Sequence, residues 1–316
     1  IADSVESIGF AAFLSCTSLT SVNISRNVTQ IGQHAFDNCR ELKTITIPYG
    51  VEKIDSWMFA DCTNLNSIEL PDSLKTIGFL SFDNCVNLLS LNIPYSVTGI
   101  DHLSMGYCVS LQSINVDPNN NNYKSIDGVL FSKDGSLLSK YPSSKSDTSY
   151  IIPDGVTTIE YKGFQNSINL KTIIIPEGVT EVKEYAFDNC VNLKLITLSN
   201  SLHSFKTFFT NCTSLQLITI PIGLTSIIYA TFTGCYSLQS INVDPNNTNF
   251  KSVDGVMFTK DGSKLMKYPC AKKDTSYIIP NGVTYIDYTA FRDCINLNSI
   301  TIPDSVTTIR EVSFYN

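Results

Sequence analysis

The chain has 316 residues, of which only 16% are charged, and its formal net charge is −7 at pH 7. Lys and Arg are scattered along the chain, so no basic stripe is available to neutralise phosphates, and we expect no nucleic-acid partner. No apolar run reaches the roughly 18 to 20 residues of a membrane-spanning helix, so we expect no membrane insertion by this chain.

A repeat of 23 residues begins near the N-terminus. One position in each repeat, called the marker, is a cysteine or, at residue 167, a serine. An aromatic residue stands three positions before every marker except Cys108, where Met105 takes its place, and a leucine stands three positions after every marker. A fixed period of this length overrides any estimate of domain number from chain length. The markers are Cys16, Cys39, Cys62, Cys85, Cys108, Ser167, Cys190, Cys212, Cys235 and Cys294.

Each repeat carries the pattern of one short strand. In the second repeat, Leu42 is followed by Ile45 and Ile47, and this alternation is typical of a strand with one buried face. Pro48 then ends the strand, because proline cannot donate to a continuing ladder. A second pair of apolar residues follows before the Ala-Phe segment, where we predict a short helical or 3-10 turn.

A unit of 23 residues cannot enclose a core alone, because it offers one layer of apolar side chains with nothing above or below it. Stacked units place each Phe, Leu and Ile on its equivalent in the next coil, about 4.8 Å away. We therefore predict a single repeat solenoid over residues 1–316, with about 11 coils, in which strands line one side of a curved rod.

The repeats resemble those of a known family. The segments AFDNCRELKTITIPYGVEKI (35–54) and AFDNCVNLKLITLSNSL (186–202) are similar to the leucine-rich repeats of BspA-like proteins. The resemblance covers essentially the whole chain and implies a right-handed β/α superhelix. It also implies a secreted or surface protein of a bacterium or protist, with a role in adhesion to host matrix proteins, host cells or other microbes.

After Cys108 the repeat is interrupted by an insertion at about 117–152. Turn signals at Asp127-Gly128 and Asp134-Gly135 separate three short strand patterns, which predicts a β-meander standing off the solenoid. Its Tyr123 and Tyr141 are candidate anchors for a partner.

The start of this insertion, Asp117-Pro118-Asn119-Asn120-Asn121, also resembles a calcium loop. Gly128 stands where the closing glutamate should be, so we favour simple turn formation and predict no metal or cofactor.

The repeats that follow differ at the outward strand positions. These positions are small and polar in most repeats, but Ile174, Leu195 and Leu217 occupy them in three consecutive ones. We expect the three to line up as an exposed apolar patch that binds a partner. Neutral substitution, or cover by lysine stems or another part of the molecule, is the alternative. The polar neighbours of the patch are Thr172, Thr197 and Thr219.

A second insertion at about 244–279 has the same length as the first and mostly the same residues, offset by 127 positions. We infer that a block of several repeats with its insertion has been duplicated.

Ten cysteines invite metal or disulfide interpretations. A metal cluster needs close pairs such as Cys-x-x-Cys, which the sequence lacks. Stacked cysteines would point in parallel into the core, where a thiol behaves as a small apolar group, so we predict buried free thiols.

The sequence offers little for catalysis. His34, His102 and His203 lie in different repeat positions without a nucleophile motif beside them, and no phosphate-binding loop or zinc-protease motif occurs. Paired carboxylates for glycoside hydrolysis stay open, although the acidic residues fall mainly in turns. We expect a protein that is not an enzyme.

We interpret the chain as a monomeric, adhesin-like binding scaffold, secreted or at a cell surface. It would recognise a host or microbial surface protein, a matrix protein or a glycan through its strand-lined face. The alternative is a structural spacer that holds another domain, such as an enzyme, of a longer protein. Residues 1–5 match residues 302–306 in the middle of a repeat, so we expect a piece of a longer protein, with its export signal elsewhere.

Overall fold

The structure is a computed structural model that describes residues 1–205, 209–228 and 231–315. It is a β-solenoid of about 13 turns, and most turns contribute one short strand to each of two parallel ladders. The chain divides into two compact units. The first unit is Ile1–Ser146 with Glu160–Ser167, and the second is Asp147–Ile159 with Ile168–Asn316.

The first ladder is formed by the strands that follow the leucine of each repeat. In the first unit these are β3 (Thr44–Thr46), β5 (Ser67–Glu69), β7 (Ser90–Ile93) and β9 (Ser113–Val116). In the second unit they are β13 (Ser149–Ile151), β15 (Thr172–Ile174), β17 (Leu195–Thr197), β19 (Leu217–Ile220), β21 (Ser240–Val243), β25 (Ser276–Ile278) and β27 (Ser299–Thr301).

The second ladder is formed by two-residue strands that follow the proline position. In the first unit these are β1 (Ser7–Ile8), β2 (Gln30–Ile31), β4 (Lys53–Ile54), β6 (Thr76–Ile77) and β8 (Gly99–Ile100). In the second unit they are β14 (Thr158–Ile159), β16 (Glu181–Val182), β18 (Ser204–Phe205), β20 (Ser226–Ile227), β26 (Tyr285–Ile286) and β28 (Thr308–Ile309).

Equivalent side chains stack on each other, as the repeat predicts. In the first unit the ring of Phe36 lies 5.1 Å from that of Phe13 and 5.6 Å from that of Phe59, and Phe82 continues the column at 5.7 Å. The rings are nearly parallel, and from Phe36 onward they are fully buried. Each ring therefore supplies the cover that its neighbour needs, and the core is a column rather than a cluster.

The turns between the ladders are not helical, which corrects the prediction of short helical or 3-10 turns. The described residues contain no helix. Trp57 (φ 61°) and Asp61 (φ 55°), on either side of Phe59, are left-handed, and the same positions are left-handed in most other coils. The Phe59 N–H donates to the Ser81 carbonyl in the next coil at 2.9 Å. Bonds between coils thus replace the i to i−4 bonds of a helix.

Nowhere in the described part of the chain is there a helix long and apolar enough to cross a membrane.

The number of turns exceeds the predicted 11 because each insertion supplies a coil of its own. Tyr141 stacks on Phe164 at 5.1 Å, and Tyr268 stacks on Phe291 at 5.3 Å, so both tyrosines occupy the aromatic column. The strands that follow them, β13 and β25, pair in parallel with β15 and β27. The C-terminal third of each predicted insertion is therefore ordinary repeat.

The remaining part of each insertion is a meander, but it does not stand off the solenoid. Its strands are β10 (Tyr123–Ile126), β11 (Val129–Ser132) and β12 (Leu137–Lys140) in the first insertion, and β22 (Phe250–Val253), β23 (Val256–Thr259) and β24 (Lys264–Lys267) in the second. In the second insertion β24 pairs in parallel with β26 of the second ladder. The Ile241 N–H also donates to the Gly255 carbonyl at 2.9 Å. The meander is thus bonded into the ladders.

A buried asparagine holds the start of each meander. The Asn120 Nδ2 donates to the carbonyls of Pro94 and Val97, both at 2.9 Å, and its Oδ1 accepts from the N–H groups of Asn122 and Tyr123, both at 2.8 Å. Asn247 makes the equivalent bonds in the second insertion. The segment that resembles a calcium loop is built as a turn with its own hydrogen bonds.

The cysteines are free thiols, nine of them buried and Cys16 exposed. The Cys62 Sγ donates to the Phe36 carbonyl and the Cys85 Sγ to the Phe59 carbonyl, each at 3.1 Å. The prediction of buried thiols is confirmed at every position except Cys16. A sulfur in this position satisfies a carbonyl of the preceding coil while it fills the core.

We expect one fast-reacting thiol in the native chain. Burial raises the pKa of Cys39 to about 11 and that of Cys108 to about 12, so both stay protonated at pH 8, and the thiolate is the reactive form. Titration with a chromogenic disulfide reagent at pH 8 should detect Cys16 quickly and the remaining nine only after denaturation. Cys16→Ser should abolish the fast phase, and several fast thiols in the native wild type would contradict the buried column.

We also expect Asn120→Ala to destabilise the fold by about 3 kcal/mol, because two buried carbonyls and two part-buried N–H groups lose their partner. The measurement is the free energy of unfolding in urea. Asn119→Ala is the matched control, since this neighbouring side chain is exposed, and it should change stability by less than about 0.5 kcal/mol. Equal midpoints for the two variants would show that Asn120 does not hold the meander.

Candidate functional site

The outward face of the first ladder in the second unit carries an apolar patch. We define the outer patch as Ile151, Ile174, Leu195 and Leu217. Ile151 is 63% exposed and Leu195 is 43% exposed, whereas Ile174 and Leu217 are half-buried. Four aliphatic side chains on consecutive strands therefore present a shared surface to solvent.

The strand register shows how the four side chains are arranged. Leu195 lies opposite Leu217, and Ile151 lies opposite Ile174, so the patch consists of two pairs in two adjacent columns. The sequence predicts that Ile174, Leu195 and Leu217 line up, but Ile174 lies opposite Thr197 instead. The patch crosses the strands diagonally.

The three threonines named from the sequence border this patch. Thr172 is half-buried and lies opposite Leu195, and the exposed Thr197 lies opposite Ile174. Thr219 is exposed and lies opposite Asn242, which continues the face as a polar surface.

The inward residues beneath the patch are buried in the core, and polar residues stand at its edge. The inward residues of the same strands, Ile173, Ile196 and Ile218, are at most 2% exposed. The exposed Lys171 and Lys194 stand immediately before β15 and β17. An apolar centre with a charged rim is the usual composition of a protein-binding surface.

Beyond the ends of these strands, the acidic side chain of Glu177 accepts hydrogen bonds from the adjacent coil. The Glu177 Oε1 accepts from the Asn200 backbone N–H at 3.1 Å and from its side-chain Nδ2 at 2.8 Å. The bond from the Asn200 backbone N–H contributes most to lowering the pKa of Glu177, and the bond from the Asn200 side chain lowers it further. The carboxylate therefore stays charged and fixed between two adjacent coils.

The equivalent face of the first unit differs in chemistry. The Thr46 Oγ1 donates to the Glu69 Oε2 at 2.9 Å, and the Asn115 Nδ2 donates to the Asn92 Oδ1 at 3.0 Å. Its outward side chains thus satisfy one another across strands and leave little apolar area. Among the described residues, the first-ladder face of the second unit has an aliphatic patch and that of the first unit does not.

Neither tyrosine named from the sequence presents its ring as an anchor. Tyr141 is 1% exposed and lies in the aromatic column, which corrects its assignment to a partner surface. Tyr123 is half-buried against the core, and its Oη accepts from the Ile100 N–H at 3.0 Å. Both residues serve the fold because the insertion is packed into the ladders.

Ile151 is the residue that sequence reasoning missed. It lies within the predicted insertion at about 117–152, which hides its place in the repeat. The signal was nevertheless present, because Tyr150-Ile151-Ile152-Pro153 has the same form as Ile173-Ile174-Ile175-Pro176 one repeat later.

The structure also shows the surroundings of two histidines and bears on metal binding. The His34 Nδ1 lies 2.8 Å from the Asp37 Oδ2, and the His203 Nδ1 lies 3.4 Å from the Gly223 carbonyl. Among the described residues, no group of three or more His, Cys, Asp or Glu side chains could hold a metal ion.

Comparison with known proteins agrees with this architecture. The model of the BspA type leucine rich repeat region matches residues 6–138, 138–254 and 267–316. No curated protein matches the chain. A leucine rich cell surface protein from Faecalibacterium prausnitzii has 31% sequence identity and a TM-score of 0.71, over 94% of this chain and 69% of its own.

Two other solved structures share the fold at lower identity. The pneumococcal vaccine antigen PcpA is 23% identical with a TM-score of 0.68, over 96% of this chain and 78% of its own. A leucine-rich repeat protein from Eubacterium ventriosum is also 23% identical, with a TM-score of 0.63, over 98% of this chain and 79% of its own. The family match extends over most of the sequence, and the stacked coils provide its structural basis. The chain belongs to the BspA-type leucine-rich repeat family, whose fold is a repeat scaffold for protein interaction.

Proposed function

We propose that this chain is an adhesin-like binding scaffold that captures a protein partner through the outer patch of its second unit. The observation that carries the proposal is the exposed pairing of Ile151 with Ile174 and of Leu195 with Leu217. Contiguous apolar side chains on a ladder whose other outward residues are mostly Ser, Thr and Asn are costly to leave in water, and such patches mark interaction surfaces.

The geometry suits a folded protein surface rather than a single peptide strand. The three strands that carry Ile174, Leu195 and Leu217 are paired on both sides, since β15 joins β13 and β17, β17 joins β19, and β19 joins β21. A partner therefore cannot add a strand there and has to be recognised by side chains. A matrix protein or a surface protein of a host or another microbe fits this description.

We also propose that the protein acts outside the cell, as a secreted or surface-attached molecule. The support is the family and two of its structural relatives, one described as a cell surface protein and the other as a vaccine antigen. We further propose that the chain works by binding and not by catalysis, on the basis that its sequence lacks the common catalytic motifs.

The test is binding of the purified chain to a panel of immobilised matrix proteins by surface plasmon resonance. Replacing Ile174, Leu195 and Leu217 by Ala should weaken binding at least tenfold, because the apolar centre of the interface is lost. Since Ile174 and Leu217 are half-buried, the melting temperature of the variant has to be compared with that of the wild type.

The matched control replaces Thr44, Ser67 and Ser90, which are outward residues of the first unit's ladder, by Ala and should leave affinity unchanged. An unchanged affinity in the patch variant would reject the outer patch as the site. Failure of the wild type to bind any member of the panel would favour a structural spacer over a binding scaffold.

A further inference from the structure

A groove crosses the second ladder of the first unit, away from that unit's first-ladder face. Its volume is about 640 Å³, and its sides include residues 7–10, 29–32 and 50–53 together with Asp55. This volume lies within the range of small-ligand sites, roughly 300 to 1,000 Å³.

The backbones of two coils that line the groove pack closely at Gly32. A Cβ at Gly32 would lie 2.7 Å from the backbone nitrogen of Phe10 in the preceding coil, which is too close for any side chain. The inward residues of the same strands, Ile8 and Ile31, are buried. The groove is therefore bounded by close-packed backbone below and by outward side chains at its sides.

Those outward side chains are polar and of mixed kind. Gln30, Glu52 and Lys53 are exposed, and the hydrogen bonds described for this chain do not use their side chains. The Asp55 Oδ1 is oriented by the Ser56 N–H at 2.9 Å and lies 3.4 Å from the Gln33 Nε2. An amide, two carboxylates and an ammonium group thus face one space, and together they can both donate and accept hydrogen bonds.

A row of four rings adjoins the groove. The His34 ring lies 5.6 Å from Phe10 and 5.7 Å from Trp57, and Phe79 lies 5.7 Å beyond Trp57. Phe10 also lines the groove and is 72% exposed, and Phe79 is 39% exposed. Unlike the buried Phe column, this row sits at the surface, where its rings cost free energy unless they are covered.

Polar side chains beside exposed aromatic rings match a polyhydroxylated ligand. Each sugar hydroxyl both donates and accepts, so it can use a carboxylate and an amide at once. The faces of aromatic rings carry partial negative charge and attract the weakly positive C–H groups of a sugar ring.

Other ligand classes fit the groove less well. The two carboxylates, Glu52 and Asp55, against one ammonium, Lys53, oppose a polyanion. The N–H groups of Thr29 and Gly32 already donate to carbonyls of the preceding coil, so the groove does not offer them to an extended peptide.

We propose that this groove, with the adjoining rings of Phe10, His34, Trp57 and Phe79, is a binding site for a neutral oligosaccharide. The polar residues hold the hydroxyls and the ring row holds the apolar faces of the sugar units. This site is separate from the outer patch and takes a different class of ligand, so that the chain recognises both a protein and a glycan.

The experiment screens the intact chain on a printed array of neutral oligosaccharides and then titrates the strongest binder in solution. Trp57 is the single tryptophan, so its fluorescence reports directly on the ring row. We expect a saturable change in its emission. Phe10→Ala and Glu52→Gln should each weaken binding about tenfold, because one removes a stacking face and the other replaces a charged acceptor of hydroxyl protons by a weaker neutral one.

The matched controls are Tyr95→Ala, which removes a ring 50% exposed outside the groove, and Glu41→Gln, and both should bind as the wild type does. The triple alanine variant of the outer patch should also keep glycan binding, which separates this proposal from the protein-binding one. Absence of any saturable binder, full affinity in Phe10→Ala, or stronger binding of heparin or of an extended peptide would each overturn it.

Discussion

The stacking of identical side chains in successive coils is the constraint on which the structure depends. Each Phe ring covers the next at 5.1 to 5.7 Å in the first unit, and buried cysteines such as Cys62 and Cys85 donate to a carbonyl of the coil before them. No coil has a core of its own, so stability comes from interfaces between neighbours. The same register that aligns the core also aligns the outward residues, and thereby creates columns of side chains at the surface.

Much of the fold could be predicted from the sequence because the repeat imposes one pattern many times. The strand after each leucine, its end at proline and the buried thiols all follow from side-chain periodicity. The non-helical turns could not be predicted, since left-handed residues such as Trp57 are unfavourable in isolation and are stabilised by bonds to the next coil. The two extra coils do not follow from the repeat pattern, because Asp147 and Asp274 replace its leucine and Tyr141 and Tyr268 replace its phenylalanine.

The candidate sites were predictable to different degrees. Outward positions in a regular ladder can be counted along the sequence, and so Ile174, Leu195 and Leu217 could be named in advance. The groove with its ring row could not, because its residues lie in the turns and short strands of several coils and follow no single column. A surface site made of residues from one position of the repeat can be predicted from the sequence. A site made of residues from several positions can be recognised only when the geometry of the coils is known.

The thiol column has a consequence for how such a chain has to fold. Oxidising compartments convert exposed cysteine pairs to disulfides, and an unfolded copy of this chain would expose all ten of its cysteines. Most of the buried sulfurs bond a carbonyl of the preceding coil, 25 or 26 residues away along the chain, whereas Cys270 reaches back 35 residues to Cys235. Short-range closure of this kind is fast. The repeat therefore allows the thiols to be buried coil by coil, without waiting for the whole molecule.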